Sequence, residues 1–223
     1  MAKFCTNCGK ELKDGKCDCV KTKESSVITS DLFEKCKEVV KGLFNKPLTP
    51  IKENTNEGNF NFGLIALVIA SIMTGLFSYF LLDNLSSFSV LGFRLIKISF
   101  IKTFITSFIF AAIWYAILGC TIYLLATKLF KLNINVKEVF TFIGILSIYL
   151  ILAFIVSIIL IFVSVKLMAL VMLIVSLIYS VYFIVGLMEV TNIDKDKIAY
   201  LYIPSILITA FIVYYVLPRL LSL

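Results

Sequence analysis

The chain has 223 residues, of which 60% are hydrophobic and only 16% charged, and its mean hydropathy is +1.00. An average soluble domain is about 45–50% apolar and about 25% charged. That balance excludes a disordered protein, a nucleic-acid-binding domain spread along the whole chain, and a single soluble globule; the excess apolar surface must face lipid.

The first 20 residues carry the sharpest motif. Cys5 and Cys8 form a C-x2-C knuckle, and Cys17 and Cys19 follow as C-x-C. Four thiolates suit a tetrahedral zinc ion, and the first knuckle aims two sulfurs at one point. Gly9 relieves the backbone just past the second ligand. So short a segment cannot bury a core worth its ordering entropy, and metal binding would supply the missing folding energy. Two disulfides or an iron–sulfur centre are the alternatives; a cytoplasmic placement, argued below, disfavours the disulfides. With every position filled by Cys, a zinc ribbon holding one structural Zn2+ is expected, with no coordination site left for catalysis. The remaining cysteines, Cys36 and Cys120, are expected to be small packing residues.

Residues 21–30 read as a flexible linker. Residues 31–45 are predicted helical, because Leu32, Cys36, Val39, Val40 and Leu43 recur with a period of 3.6. Asp31 and Glu34 resemble a capping box, and Pro47 marks the end. Lys35, Lys37, Lys41 and Lys46 share the other faces with Glu34 and Glu38. This juxtamembrane amphipathic helix either lies in the plane of the anionic inner leaflet or docks on the cytoplasmic face of the bundle. Residues 46–52, with Pro47 and Pro50, read as a stiff entry, so that 31–61 is one juxtamembrane segment.

Residues 62–223 form a membrane domain. A bilayer core of about 30 Å needs about 20 apolar residues in a helix. Five stretches qualify, at about 62–82, 104–126, 139–163, 167–188 and 198–217. Residues 139–188 are interrupted only by Lys166. About fifty helical residues would reach about 75 Å, so the chain must fold back at Ser164, Val165 and Lys166. Between the first two spans, Arg94, Lys97 and Lys102 are mixed with apolar residues, either as a short interfacial helix or as a longer, tilted second span. Residues 1–28 hold no apolar core of a secretory signal, so the stretch from Phe62 is expected to act as an uncleaved signal-anchor. The fold class is an all-α multi-pass membrane bundle of five transmembrane helices, with the small ribbon and the amphipathic helix at its N-terminus.

With the N-terminus inside, the inner segments carry 16 Lys and Arg and the outer segments 5. That asymmetry places the N-terminus in the cytoplasm and the C-terminus outside the cell membrane. The lysine-rich, isoleucine-rich composition reads as that of a low-GC bacterium.

No span core contains Asp, Glu, Lys, Arg or His, which argues against proton-coupled transport and intramembrane proteolysis. Neutral hydroxyls do occur, and small residues recur four apart at Ala66/Ala70, Ser71/Gly75, Ala112/Ala116 and Ser176/Ser180, as helix packing in lipid favours. Pro204 is expected to kink the fifth span. Residues 1–61 carry 11 Lys against 9 Asp and Glu, and Phe4 is the ribbon's sole aromatic, so nucleic acid is not the expected partner. Without His, a nucleophile–base pair or a phosphate loop, the chain is not expected to be an enzyme.

Residues 4–12 (FCTNCGKEL) resemble the short zinc ribbons that open many bacterial membrane proteins. Phe44, Asn45, Lys46 and Pro47 with Ile51 and Lys52, and Gly186, Leu187, Met188, Glu189, Val190 and Thr191 before the last span, resemble the bacterial side of the Yip family of five-span proteins. The resemblance implies a cytoplasmic N-terminus, five helices and no enzymatic activity. Eukaryotic relatives bind Rab-type GTPases and form homo- or hetero-oligomers; the short Gly/Pro motifs of those relatives are missing here. The second knuckle, at Cys17 and Cys19, is one residue shorter than the usual C-x2-C. The reading that results is a non-enzymatic membrane scaffold or regulator. Its partners are the bilayer, a protein docked through the zinc ribbon, and a further copy in a homo-oligomer. A small-solute permease, channel or lipid-handling protein using the neutral hydroxyls is the alternative.

Overall fold

The structure is a computed structural model that describes residues 34, 36–42, 45–46, 48–87 and 98–216. It divides into two units, Met1–Gly42 and Leu43–Leu223. In the first, residues 36–42 are helical (α1), with Cys36, Lys37, Glu38 and Lys41 exposed. Leu32, Phe33, Leu43 and Phe44 of the expected amphipathic helix lie outside the described residues.

The regular elements of the second unit are all helical among the described residues. It comprises α2 (Leu48–Asn54), a 3-10 turn (Glu57–Asn59), α3 (Phe60–Ser87), α4 (Phe100–Leu124), α5 (Val136–Val163), α6 (Val165–Thr191) and α7 (Ile198–Phe211). The α4 and α7 helices each close on a π-helical turn, Leu125–Leu129 and Ile212–Val216. Five of these helices, α3 to α7 with their continuations, are long and apolar enough to cross a membrane, and the protein is a multi-pass membrane protein. At 1.5 Å per residue, the 28 residues of α3 and of α5 each span about 42 Å, enough to cross a hydrocarbon core of about 30 Å with both ends in the interface. Every charged residue within α3 to α7 lies near a helix end: Asp83, Lys102, Lys137, Glu138, Lys166 and Glu189.

Helix ends follow local chemistry. Asn135 caps α5: its side chain accepts from the backbone N–H of Lys137 at 3.0 Å, and the backbone N–H of Asn135 donates to Glu138 Oε2 at 3.0 Å, a capping box. The hairpin between α5 and α6 is tighter than the three residues expected. Ser164 alone is non-helical, and its hydroxyl accepts from Leu167 N at 3.3 Å to cap α6, so Val165 and Lys166 belong to the next helix. Asn192 ends α6 in the left-handed region, at φ 51°, a conformation asparagine tolerates better than most residues.

One expectation changes. The stiff entry at 46–52 is largely helix α2, because Pro50 falls in its first turn, where the missing N–H has no intrahelical partner to lose. Pro204 lies inside α7 without ending it, with the Ser205 hydroxyl donating to the Leu201 carbonyl at 2.6 Å. In the expected interfacial helix, residues 88–97 lie outside the described residues, whereas Lys102 belongs to the first turn of α4.

The bundle is built around α5. It packs on α3, α4, α6 and α2, while α7 lies mainly against α4. Contacts between α3 and α5 advance together along both helices, from Gly63 against Gly144 to Phe77 against Phe154 and Phe80 against Phe162, so the two run parallel. Residues 141–148 of α5 are buried without exception, over more than two helical turns.

Candidate functional site

Glycine and aromatic placement determine how the N-terminal half of α5 is held. A Cβ on Gly144 would overlap the Gly63 backbone, and one on Gly63 would come within 2.7 Å of the Thr141 Cα, so α3 and α5 cross backbone to backbone. Gly119 of α4 receives the ring of Phe140, at 2.8 Å from where its Cβ would be. Gly186 of α6 receives the ring of Phe142, at 2.7 Å, and Ile51 Cγ2 at 3.2 Å. Phe142 continues into a ring cluster with Phe183 of α6 (5.3 Å between centroids), which meets Tyr202 of α7 at 5.4 Å. Three glycines on three helices thus each admit a residue from the first turns of α5.

The same end of the bundle holds α2. Ile51 is 1% exposed, and Lys52 Nζ lies 2.9 Å from Glu189 Oε2. Both charged side chains remain substantially exposed, at 69% and 43%, so this ion pair orients α2 more than it binds it. Burial of Ile51, worth about 1.5–3 kcal/mol for a fully buried aliphatic side chain, carries the docking. Nearby, Asn135 Nδ2 donates to Glu57 Oε1 at 2.7 Å, tying the turn before α3 to the start of α5. Glu189, Asn192 and Lys195 help line an open hollow of about 300 Å³ beside the ion pair. The two short motifs singled out in the sequence, Ile51-Lys52 and Gly186 to Glu189, are therefore one contact surface, although Lys52 and Glu189 are 137 positions apart.

The other candidate residues separate. Cys5, Cys8, Cys17 and Cys19 lie outside the described residues. Among the described residues no group of three or more His, Cys, Asp or Glu could hold a metal ion. Cys36 and Cys120, expected to pack, are both exposed, Cys120 because it faces outward from α4.

The neutral hydroxyls mostly turn back on their own helices. Ser71 donates to Leu67 O at 2.8 Å, Thr121 to Ile117 O at 2.8 Å, Ser147 to Gly144 O at 2.7 Å, Thr191 to Leu187 O at 2.7 Å and Thr209 to Ser205 O at 2.7 Å. This is how a hydroxyl is satisfied where water is excluded. Ser157 of α5 is fully buried with no hydrogen-bond partner for its Oγ among the described residues. The small-residue pairs divide as well. Ala66 and Ala70 are buried and Gly75 sits against Phe104, whereas Ala112, Ala116 and Ser176 are exposed.

Sequence reasoning missed the Gly63–Gly144 crossing and a cavity between α5 and α6. Both glycines lie in the N-terminal part of their helices, but Gly63 and Gly144 belong to different spans, and a four-residue repeat within one span carries no signal of a pairing between two. The cavity, of about 410 Å³, opens between α5 and α6 and is lined by Tyr149, Ala153 and Val156 on one side and Val175, Tyr179 and Tyr182 on the other, with Leu152, Val171 and Ile178 completing it.

No curated protein and no solved structure matches the chain. Residues 50–217, from the buried turn of α2 to the end of the last span, match the Yip1 domain. The match takes in both halves of the α2–α6 contact and all five spans, and the chain belongs to the Yip1 family.

Proposed function

We propose that the protein is a non-enzymatic scaffold or regulator of a bacterial cell membrane, with its N-terminus in the cytoplasm and its C-terminus outside. Its residues 1–20 form a zinc ribbon that docks a protein partner. Cys5, Cys8, Cys17 and Cys19 hold one structural Zn2+, a donor set that closes the coordination sphere. The observation that carries this reading is the clamp on α2. Ile51 buried against Gly186 and Lys52 paired with Glu189 hold the segment entering the bundle, making the bundle a fixed base for what precedes it. Members of the Yip1 family are not known enzymes. The hydroxyls on which a permease would draw are mostly engaged within their own helices, which favours the scaffold over the transport reading.

Affinity purification of the full chain from mild detergent, beside the Cys5→Ser/Cys8→Ser variant, tests the reading. One equivalent of zinc and a co-purifying protein are expected with the unmodified chain, and both are lost in the variant. An unchanged set of co-purifying proteins, or less than about half an equivalent of zinc in the unmodified chain, overturns it.

A further inference from the structure

The cavity between α5 and α6 has no role in the scaffold reading, and its chemistry is specific. Its volume, about 410 Å³, falls in the range of about 300–1,000 Å³ typical of small-molecule sites. Val156 and Ile178 on its rim are 47% and 44% exposed, so it opens sideways toward lipid. Three tyrosines line it, with the rings of Tyr149 and Tyr182 5.1 Å apart between centroids.

Depth narrows the occupant. Tyr149 is at the middle of the 28 residues of α5, and Tyr179 at the middle of the 27 of α6. The phenolic rings therefore lie near the centre of the bilayer, and the aliphatic lining of Leu152, Val156 and Val171 continues from them toward the Ser164 turn. Phospholipid headgroups stay at the interface, because charge at that depth is costly. A phospholipid tail reaches the centre but has no use for hydroxyl groups.

We infer that this cleft binds a neutral, bilayer-soluble molecule whose carbonyl acceptors meet tyrosine hydroxyls at the membrane centre and whose aliphatic tail follows the valine-lined part, the chemistry of an isoprenoid quinone. The inference is independent of the zinc ribbon and of any protein partner.

The test uses the full chain in phosphatidylcholine–phosphatidylglycerol nanodiscs and two photoprobes: an azidoquinone with a decyl tail, and phosphatidylcholine carrying a diazirine at the end of one acyl chain. The azidoquinone is expected to label residues 149–156 and 171–182, and decylubiquinone to compete. Tyr182→Phe keeps the ring and removes one hydroxyl, so labelling at equal probe concentration should fall about five-fold, the effect of one neutral hydrogen bond. Val156→Trp, at an exposed rim position, should block the cleft while the protein stays monodisperse. Labelling spread evenly over the spans, or unchanged in both variants, overturns the inference. So does a cleft labelled by the phosphatidylcholine probe alone, which makes acyl tails the occupant, or crosslinking through α6 to a second copy with no quinone labelling.

Discussion

The first half of α5 and the first two thirds of α6 lie in consecutive helices, share the same kind of apolar composition, and are treated oppositely by the fold. Residues 141–148 are enclosed on every side by neighbouring helices. On α6, Leu167, Leu170, Leu173, Ile174, Leu177 and Val181 are all exposed, and its buried residues beyond Met168 begin only at Phe183. In water such a helix would be a liability; in a bilayer it is ordinary, because lipid tails are as apolar as leucine. What separates the two regions is shape. The enclosed stretch meets Gly63 of α3 and Gly186 of α6, with the adjoining Phe140 on Gly119 of α4, whereas the middle of α6 carries Ser176, Tyr179 and Tyr182 and faces α5 across a cavity.

Substitutions at the enclosed end should break the contrast most severely. Gly144→Leu would drive a side chain into the Gly63 backbone, which cannot step aside. Loss of monodisperse protein on size exclusion in mild detergent is the expected result. Phe142→Ala empties the space between Gly186 and Phe183, and should cost about 3 kcal/mol in a reversible unfolding titration, toward the lower end of such truncations because the unfolded reference is itself in lipid. Lys52→Ala should cost no more than about 1 kcal/mol, shrinking further in high salt, since the pair it breaks is exposed. Its better readout is protease accessibility of residues 48–54, which should rise. At the bare end, Leu177→Ala should change stability by less than about 0.5 kcal/mol. A large loss there would mean that this face of α6 is covered by protein, and the contrast between the two regions would fail.

Much of the architecture was legible along the chain. The five spans end where Asp83, Lys102, Lys137, Glu138, Lys166 and Glu189 begin to appear, because the cost of charge in hydrocarbon is read one residue at a time. The fold-back at Ser164 was forced by helix length alone, though its single-residue tightness was not, since that depends on the Ser164 hydroxyl reaching Leu167 N. The candidate surface was half legible. Both of its motifs were visible as strings, but that Ile51 would press on Gly186 and Lys52 pair with Glu189 was not. The small-residue repeats were used unevenly: the pairs in α3 are packed, while Ala112 and Ala116 line an open groove between α4 and α3 and Ser176 is exposed.

The sequence by itself determined that this is a multi-span membrane protein, how many times it can cross, and that its charges are kept to the helix ends. Those follow from transfer free energies that sum along a single strand of chain. Only the tertiary structure decided that α5 is central and α6 peripheral, that Gly63 meets Gly144, and that a tyrosine-lined cleft opens at mid-membrane. In lipid, helices associate through close packing more than through apolarity, and packing depends on the shapes of residues brought together from distant parts of the chain.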